Sequence, residues 1–182
     1  MKSIFKYVLT FVVMLCISSC VDDLDFNQAK DLEITPAVNI SLIKSKVNQN
    51  NLVVGGSEVG SISEVSTFTI LDNDVARDNL ERAVLRFEII NNFARDFRVT
   101  FTLLDENDAR TYTDIILNVT ANQTDFALEE EIILADNPNF INSRKINVEL
   151  TLLPSSDGST LDANTPNSLT FKSAGTFYFR VN

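Results

Sequence analysis

From Val38 onward the apolar residues recur at every second position, and that period decides most of what the chain can fold into. Phe97, Val99, Phe101 and Leu103 face one way, while Arg98, Thr100 and Thr102 face the other. Ile146, Val148, Leu150 and Leu152 repeat the pattern. Successive side chains of a strand point to opposite faces, so such a run buries one face and wets the other. No stretch of ~10 or more residues carries the 3.6-residue period of an amphipathic helix.

The other alternations are shorter. Val38, Ile40 and Leu42 open the series, and Phe68 with Ile70 marks a second strand. Leu85, Phe87 and Ile89 follow a helical turn expected near 77–81. Ile115, Leu117 and Val119 return as a hairpin partner of 97–103, with Asp114 and Asn118 outward. Phe126, Leu128, Ile132 and Leu134 are interrupted by Glu129-Glu130-Glu131. Leu169 and Phe171, then Phe177, Phe179 and Val181, make a final pair of strands separated at Ala174-Gly175. The polar stretch 45–66 is too long for a structureless loop in a compact domain and is expected to hide a short edge strand. Roughly seven to nine short strands with turn signals between them predict an antiparallel β-sandwich, immunoglobulin-like, with a small β-barrel as the alternative.

The first twenty residues follow other rules. Lys2 and Lys6 precede an apolar run from Tyr7 to Ile17, and small residues come next, which is the layout of a secretory signal peptide. The apolar run is about 11 residues, short of the ~20 that span hydrocarbon as a helix. Ile17-Ser18-Ser19-Cys20 closes it.

That tetrapeptide resembles the lipobox of bacterial lipoproteins, an aliphatic residue and two small ones before cysteine. Serine at position 19 departs from the commoner glycine or alanine. The resemblance implies cleavage between Ser19 and Cys20 and covalent diacylglycerol and acyl chains on Cys20, the anchoring residue. Asp22, Asp23 and Asp25 follow directly, and an acidic run there is similar to the surface-export signal of Bacteroidetes lipoproteins; the bland reading is a solvated linker. The organisation expected is a signal peptide over 1–19, an acidic tether over 20–36 and a β-sandwich domain over 37–182. The implied address is the outer membrane, at the cell surface or on the periplasmic face.

Cleavage would leave 163 of the 182 residues, with 13 basic against 25 acidic side chains. So negative a surface disfavours nucleic acid as a partner. Cys16 would leave with the signal peptide, so no disulfide is available to the domain. The chain has no His, which removes the commonest general base and metal ligand. It has no Trp, the preferred platform for a sugar ring. Eleven of the thirteen Phe lie beyond residue 19 and are available for a core.

Candidate sites are few. Asp72 and Asp74, with Asp105 and Asp108, offer hard oxygen ligands to a cation such as calcium, but neither cluster has EF-hand spacing and turns explain both. Asp114 with Glu129, Glu130 or Glu131 would be the acid–base pair of a small carboxylate hydrolase, though no spacing selects it. An edge that repels strand pairing explains the triplet more simply. Tyr112 and Tyr178 fall on outward registers and would serve a glycan- or peptide-binding module. The expectation is a lipid-anchored, non-catalytic binding or structural protein, with no resident cofactor or metal and its protein or glycan partner unnamed.

Overall fold

A computed structural model describes residues 36–180, apart from Ser156 and Ala163. These residues belong to a unit that begins at Ile34. Strand β1 (Ala37–Asn48) runs into a single helical turn, α1 (Gln49–Leu52), closed by a reciprocal cap. Asn48 Oδ1 accepts from the Asn50 N–H, and Asn51 Oδ1 accepts from the Asn48 N–H. A two-residue hairpin follows, β2 (Val53–Val54) and β3 (Ser57–Glu58). Its turn residues Gly55 and Gly56 have φ of 60° and 81°, the double positive φ that suits a tight hairpin and that only glycine adopts cheaply.

Strand β4 (Ser61–Thr67) leads through a 3-10 turn (Thr69–Leu71) to helix α2 (Asp74–Asn79), capped by Asn73 Oδ1 on the Ala76 N–H at 2.7 Å. Then come β5 (Leu80–Asn91), β6 (Phe97–Leu104), β7 (Ile115–Val119) and β8 (Phe126–Ile133). A second 3-10 turn (Pro138–Asn142) precedes β9 (Lys145–Leu152) and β10 (Ser168–Phe179).

Two four-stranded antiparallel sheets result, ordered β1-β10-β5-β8 and β4-β9-β6-β7, beside the small β2-β3 hairpin. The antiparallel sandwich is the one the alternation predicts. The finer expectation of immunoglobulin-like order is corrected. An immunoglobulin sandwich divides its strands as ABED and CFG, whereas here the first strand pairs with the last and the second long strand with the penultimate. That is the order of an eight-strand double-sheet jelly roll. Neither sheet closes on itself or on the other, so the barrel alternative does not hold.

The inner faces meet through phenylalanines. The Phe101 ring on β6 lies 4.6 Å from Phe87 on β5 and 4.9 Å from Phe171 on β10. At one end Phe68 sits between Phe140 and Phe177, with centroids 6.1 and 5.7 Å away. Offset, tilted pairs of this kind bury large apolar area and add to it a favourable ring–ring term.

Three local expectations fail for tertiary reasons. Phe68 and Ile70 do not form a strand. Phe68 is buried just after β4, and the chain winds through the 3-10 turn so that Leu71 can enter the core as well. The acidic triplet does not interrupt β8, because Glu129 and Glu131 point outward while only Glu130 takes an inward register, opposite Leu85. Nor is there a strand break at Ala174-Gly175. Strand β10 is continuous and pairs with β1 on one side and β5 on the other across this point.

Gly175 is there because a Cβ would meet the Phe177 ring at 2.6 Å and Leu85 Cδ2 at 3.4 Å. Phe177 is wholly buried against Phe68 and cannot swing aside freely. Gly175→Ala is therefore expected to cost about 1–3 kcal/mol by overpacking, measured as a lower urea midpoint with unchanged slope. An unchanged midpoint would mean that the aromatic cluster yields at no cost.

Candidate functional site

One concavity opens where the two sheets leave their edges apart. Strands β1 and β4 are edges of opposite sheets and are not hydrogen-bonded to each other. Between them lies a cleft of about 300 Å³. Its floor is the core itself, Val99, Leu150, Leu169 and Phe171; its walls are the half-buried Ile43 and Val47 of β1 and Ile62 of β4. Ser45, Ser66, Lys44 and Glu64 stand around the opening.

The β1 wall owes its shape to a bulge between Ser41 and Ile43. The buried Ser173 hydroxyl accepts from the Ile43 N–H at 3.1 Å, which holds Ile43 on the inner face. Beyond the bulge Ile43, Ser45 and Val47 face the cleft, and Lys44 and Lys46 face outward. Register then does something the sequence alone does not reveal. Lys44 stands directly opposite Lys172 of β10, with Lys46 two residues along. Like charges opposite one another destabilise a sheet. None of the three has an acidic partner among the described residues. Glu88, across from Lys172 on β5, is taken by Arg86 at 3.1 Å.

The candidate cation ligands are otherwise engaged. Asp72 lies 3.6 Å from Arg144 Nε, and Asp74 pairs with Arg77 inside α2. Asp105 Oδ1 closes a turn by accepting from the N–H groups of Asn107 and Ala109, both at 2.8 Å. Asp108, held at φ 64°, accepts from Lys145 Nζ at 2.7 Å. The two acidic clusters do meet at one end of the sandwich, since Arg144 also lies 3.9 Å from Glu106. What joins them is the Arg144-Lys145 pair, which occupies the charge position a cation would take. Among the described residues no group of three or more acidic, His or Cys side chains is placed to hold a metal.

The candidate acid–base pair is likewise dispersed. Asp114 accepts from the Thr102 hydroxyl at 2.9 Å and pairs with Arg110 at 3.2 Å. Glu129 pairs with Arg86 and Glu131 with Arg82 on the outer face of β5. Glu130 accepts from the Tyr112 hydroxyl at 2.7 Å. Tyr112 itself departs from expectation. It is not on an outward strand register but half-buried in the loop before β7, edge-on to Phe140. Tyr178 does face outward, its ring 3.9 Å beneath the Arg82 guanidinium.

Burial, with the Glu130 carboxylate beside it, pushes the Tyr112 hydroxyl up to about 12. A raised folded-state value means the neutral phenol is favoured by folding. Its contribution is complete below the ordinary value near 10 and is lost as pH rises through 12. Wild-type thermal stability is thus expected to fall across that window, and Tyr112→Phe to flatten it. A fall of equal size in both proteins would assign the alkaline loss elsewhere.

Cys20, Ser19, Asp22, Asp23 and Asp25 lie outside the described residues. Among the described residues no helix is long and apolar enough to cross a membrane.

No protein-family profile matches the chain, and no curated protein matches its sequence. Solved structures do match it. A predicted secreted protein from Parabacteroides distasonis ATCC 8503 is 18% identical, with a TM-score of 0.45 over 64% of this chain and 37% of the other. The VP2 subviral particle protein of infectious bursal disease virus is 12% identical, with a TM-score of 0.40 over 80% of this chain and 33% of the viral one. A pilus protein of Bacillus endospore appendages is 8% identical, with a TM-score of 0.33 over 82% and 92% of the two chains. The chain thus spans about a third of the length of the first two.

Proposed function

We propose that the chain is a lipid-anchored, non-catalytic component of the bacterial outer membrane, its jelly-roll domain serving to bind or support a partner outside the bilayer. The observation that carries this reading is the series Lys2, Lys6, the apolar run 7–17 and Ile17-Ser18-Ser19-Cys20. A diacylated cysteine supplies the two chains that stable anchoring requires. The non-catalytic assignment rests on the dispersal of the carboxylates: each candidate acid is committed to an arginine, a lysine, a hydroxyl or a turn. The acidic Asp22, Asp23 and Asp25 favour the outer face, where a surface domain meets glycan or peptide.

Growth of the expressing bacterium with an alkyne-labelled fatty acid tests the anchor. The expected product carries label and has lost residues 1–19 by mass. A chain that is cut but unlabelled, or uncut, would overturn it. Shaving intact cells with protease, with a tag after Asn182 and a periplasmic control, then distinguishes the two faces. Loss of the tag alone is expected.

A further inference from the structure

The four sheet edges are not alike. Strand β8 carries Glu130 in an inward register, and β4 carries Glu64 on the same face as Ile62 and Ser66. An inward-pointing charge on an edge strand obstructs the addition of another strand. Strand β7 has only five residues. Strand β1 has twelve, and its inward positions beyond the bulge are Ile43, Ser45 and Val47, without a charge among them. Its outward positions are Lys44 and Lys46, reinforced by Lys172 on the neighbouring strand. Lysines on an edge usually serve to keep strands away. Here Lys172 belongs to an interior strand, and the three together form an unpaired basic corner on a chain of formal charge −10.

The geometry points to β1 as the docking edge for an extended peptide that alternates apolar and acidic side chains. The occupant's backbone pairs with the groups that β1 turns away from β10. Its apolar side chains, on the inner face, cover the cleft floor of Val99, Leu150, Leu169 and Phe171. Its acidic side chains, on the outer face, fall beside Lys44 and Lys46, within the ~5 Å of cross-strand neighbours. Period two is the one spacing that meets both faces at once. A second copy of the chain is excluded as occupant through its own β1, because pairing two such edges sets lysine against lysine. Glu64, across the opening on β4, leaves the β1 side as the only one suited to an acidic strand. Docking on β1 involves none of residues 1–35, so its failure and a failure of the Cys20 anchor are distinguishable.

The test is fluorescence anisotropy of the full chain, in detergent, with an octapeptide alternating Glu and Val. The same composition with its Val residues blocked together serves as control. The alternating peptide is expected to bind at least about tenfold tighter than the blocked one. Lys44→Glu with Lys46→Glu is expected to weaken it by about tenfold or more, because two favourable cross-strand charge pairs become two like-charge pairs. The double variant should instead bind an alternating Lys–Val octapeptide. These surface changes leave the core intact, and the circular dichroism melt confirms that both proteins are folded. Equal binding of alternating and blocked peptides, or a double variant that still prefers Glu–Val, or no binding at all, overturns the proposal.

Discussion

Arg95→Ala is expected to remove about 3 kcal/mol of stability, the low end of the range for breaking a buried ion pair from one side. Arg95 sits in the turn between β5 and β6 and is only 6% exposed. Its guanidinium donates to Glu58 at 2.8 Å, to the Ser159 carbonyl at 3.0 Å and to the Leu153 carbonyl at 2.8 Å. Glu58 accepts in turn from the Leu161 N–H at 2.6 Å. One side chain thus ties the β2–β3 hairpin and the loop after β9 to the β5–β6 turn. Truncation leaves the half-buried Glu58 carboxylate with the Leu161 N–H but no countercharge, and the Ser159 and Leu153 carbonyls without the Arg95 donor. Groups deprived of a partner in this way cost much of their desolvation. Glu58 keeps 22% exposure, which is why the low end applies. The total stability of a domain is only ~5–15 kcal/mol, so the urea midpoint should fall by a fifth or more.

Arg95→Met with Glu58→Met removes both charges and should recover much of that loss, since a paired buried charge contributes little over an apolar pair. A single variant within about 0.5 kcal/mol of wild type would place the guanidinium in water. The same lock gives an acid limb. Burial pushes the Glu58 carboxyl up, but the Leu161 N–H and Arg95 outweigh it and hold the group below its ordinary 4.5. A depressed folded-state value contributes stability above the unfolded value and loses it as pH falls through the folded one. Stability is therefore expected to drop below about pH 4.5 in wild type and less steeply in Glu58→Gln.

On the proposed lipoprotein reading, Cys20→Ser is expected to have the second large effect, an all-or-none loss of anchoring. A serine hydroxyl lacks the thiolate that forms a thioether, so no diacylglycerol is attached. Each buried CH₂ of a lipid chain contributes ~0.8 kcal/mol to membrane partition, and the loss of two chains leaves nothing comparable to replace it. The variant should take up no labelled fatty acid and persist as a precursor that retains residues 1–19. A processed, labelled Cys20→Ser chain would refute the lipoprotein reading outright, whatever the domain does. Because the sandwich lies far along the chain from position 20, the variant's peptide binding should be unchanged.

Much of the sandwich is legible in the order of the residues. Period two in 97–103 and 146–152 assigns both the strands and their buried faces, because alternation is a property of neighbours in sequence. The Phe-rich core follows from the same reading, and so does the turn at Asp105–Asp108, whereas Asp72-Asn73-Asp74 opens helix α2. The proposed address also rests on local sequence alone, the twenty residues that end at Cys20. Phe68, Gly175 and Tyr112 depart from the local pattern because packing overrides it: a ring drawn into the core, a Cβ with no room, a phenol turned toward a glutamate.

What only the tertiary structure decided is who stands next to whom. Pairing of β1 with β10 joins residues about 130 positions apart, and nothing near Lys44 in sequence announces Lys172. The same pairing makes the order a jelly roll rather than an immunoglobulin sandwich and leaves β1 and β4 as edges around an apolar cleft. Alternation says which face of a strand is buried, but every strand with a buried face satisfies it equally. The choice of partner belongs to the joint burial of both sheets, a property of the whole chain and of no segment of it.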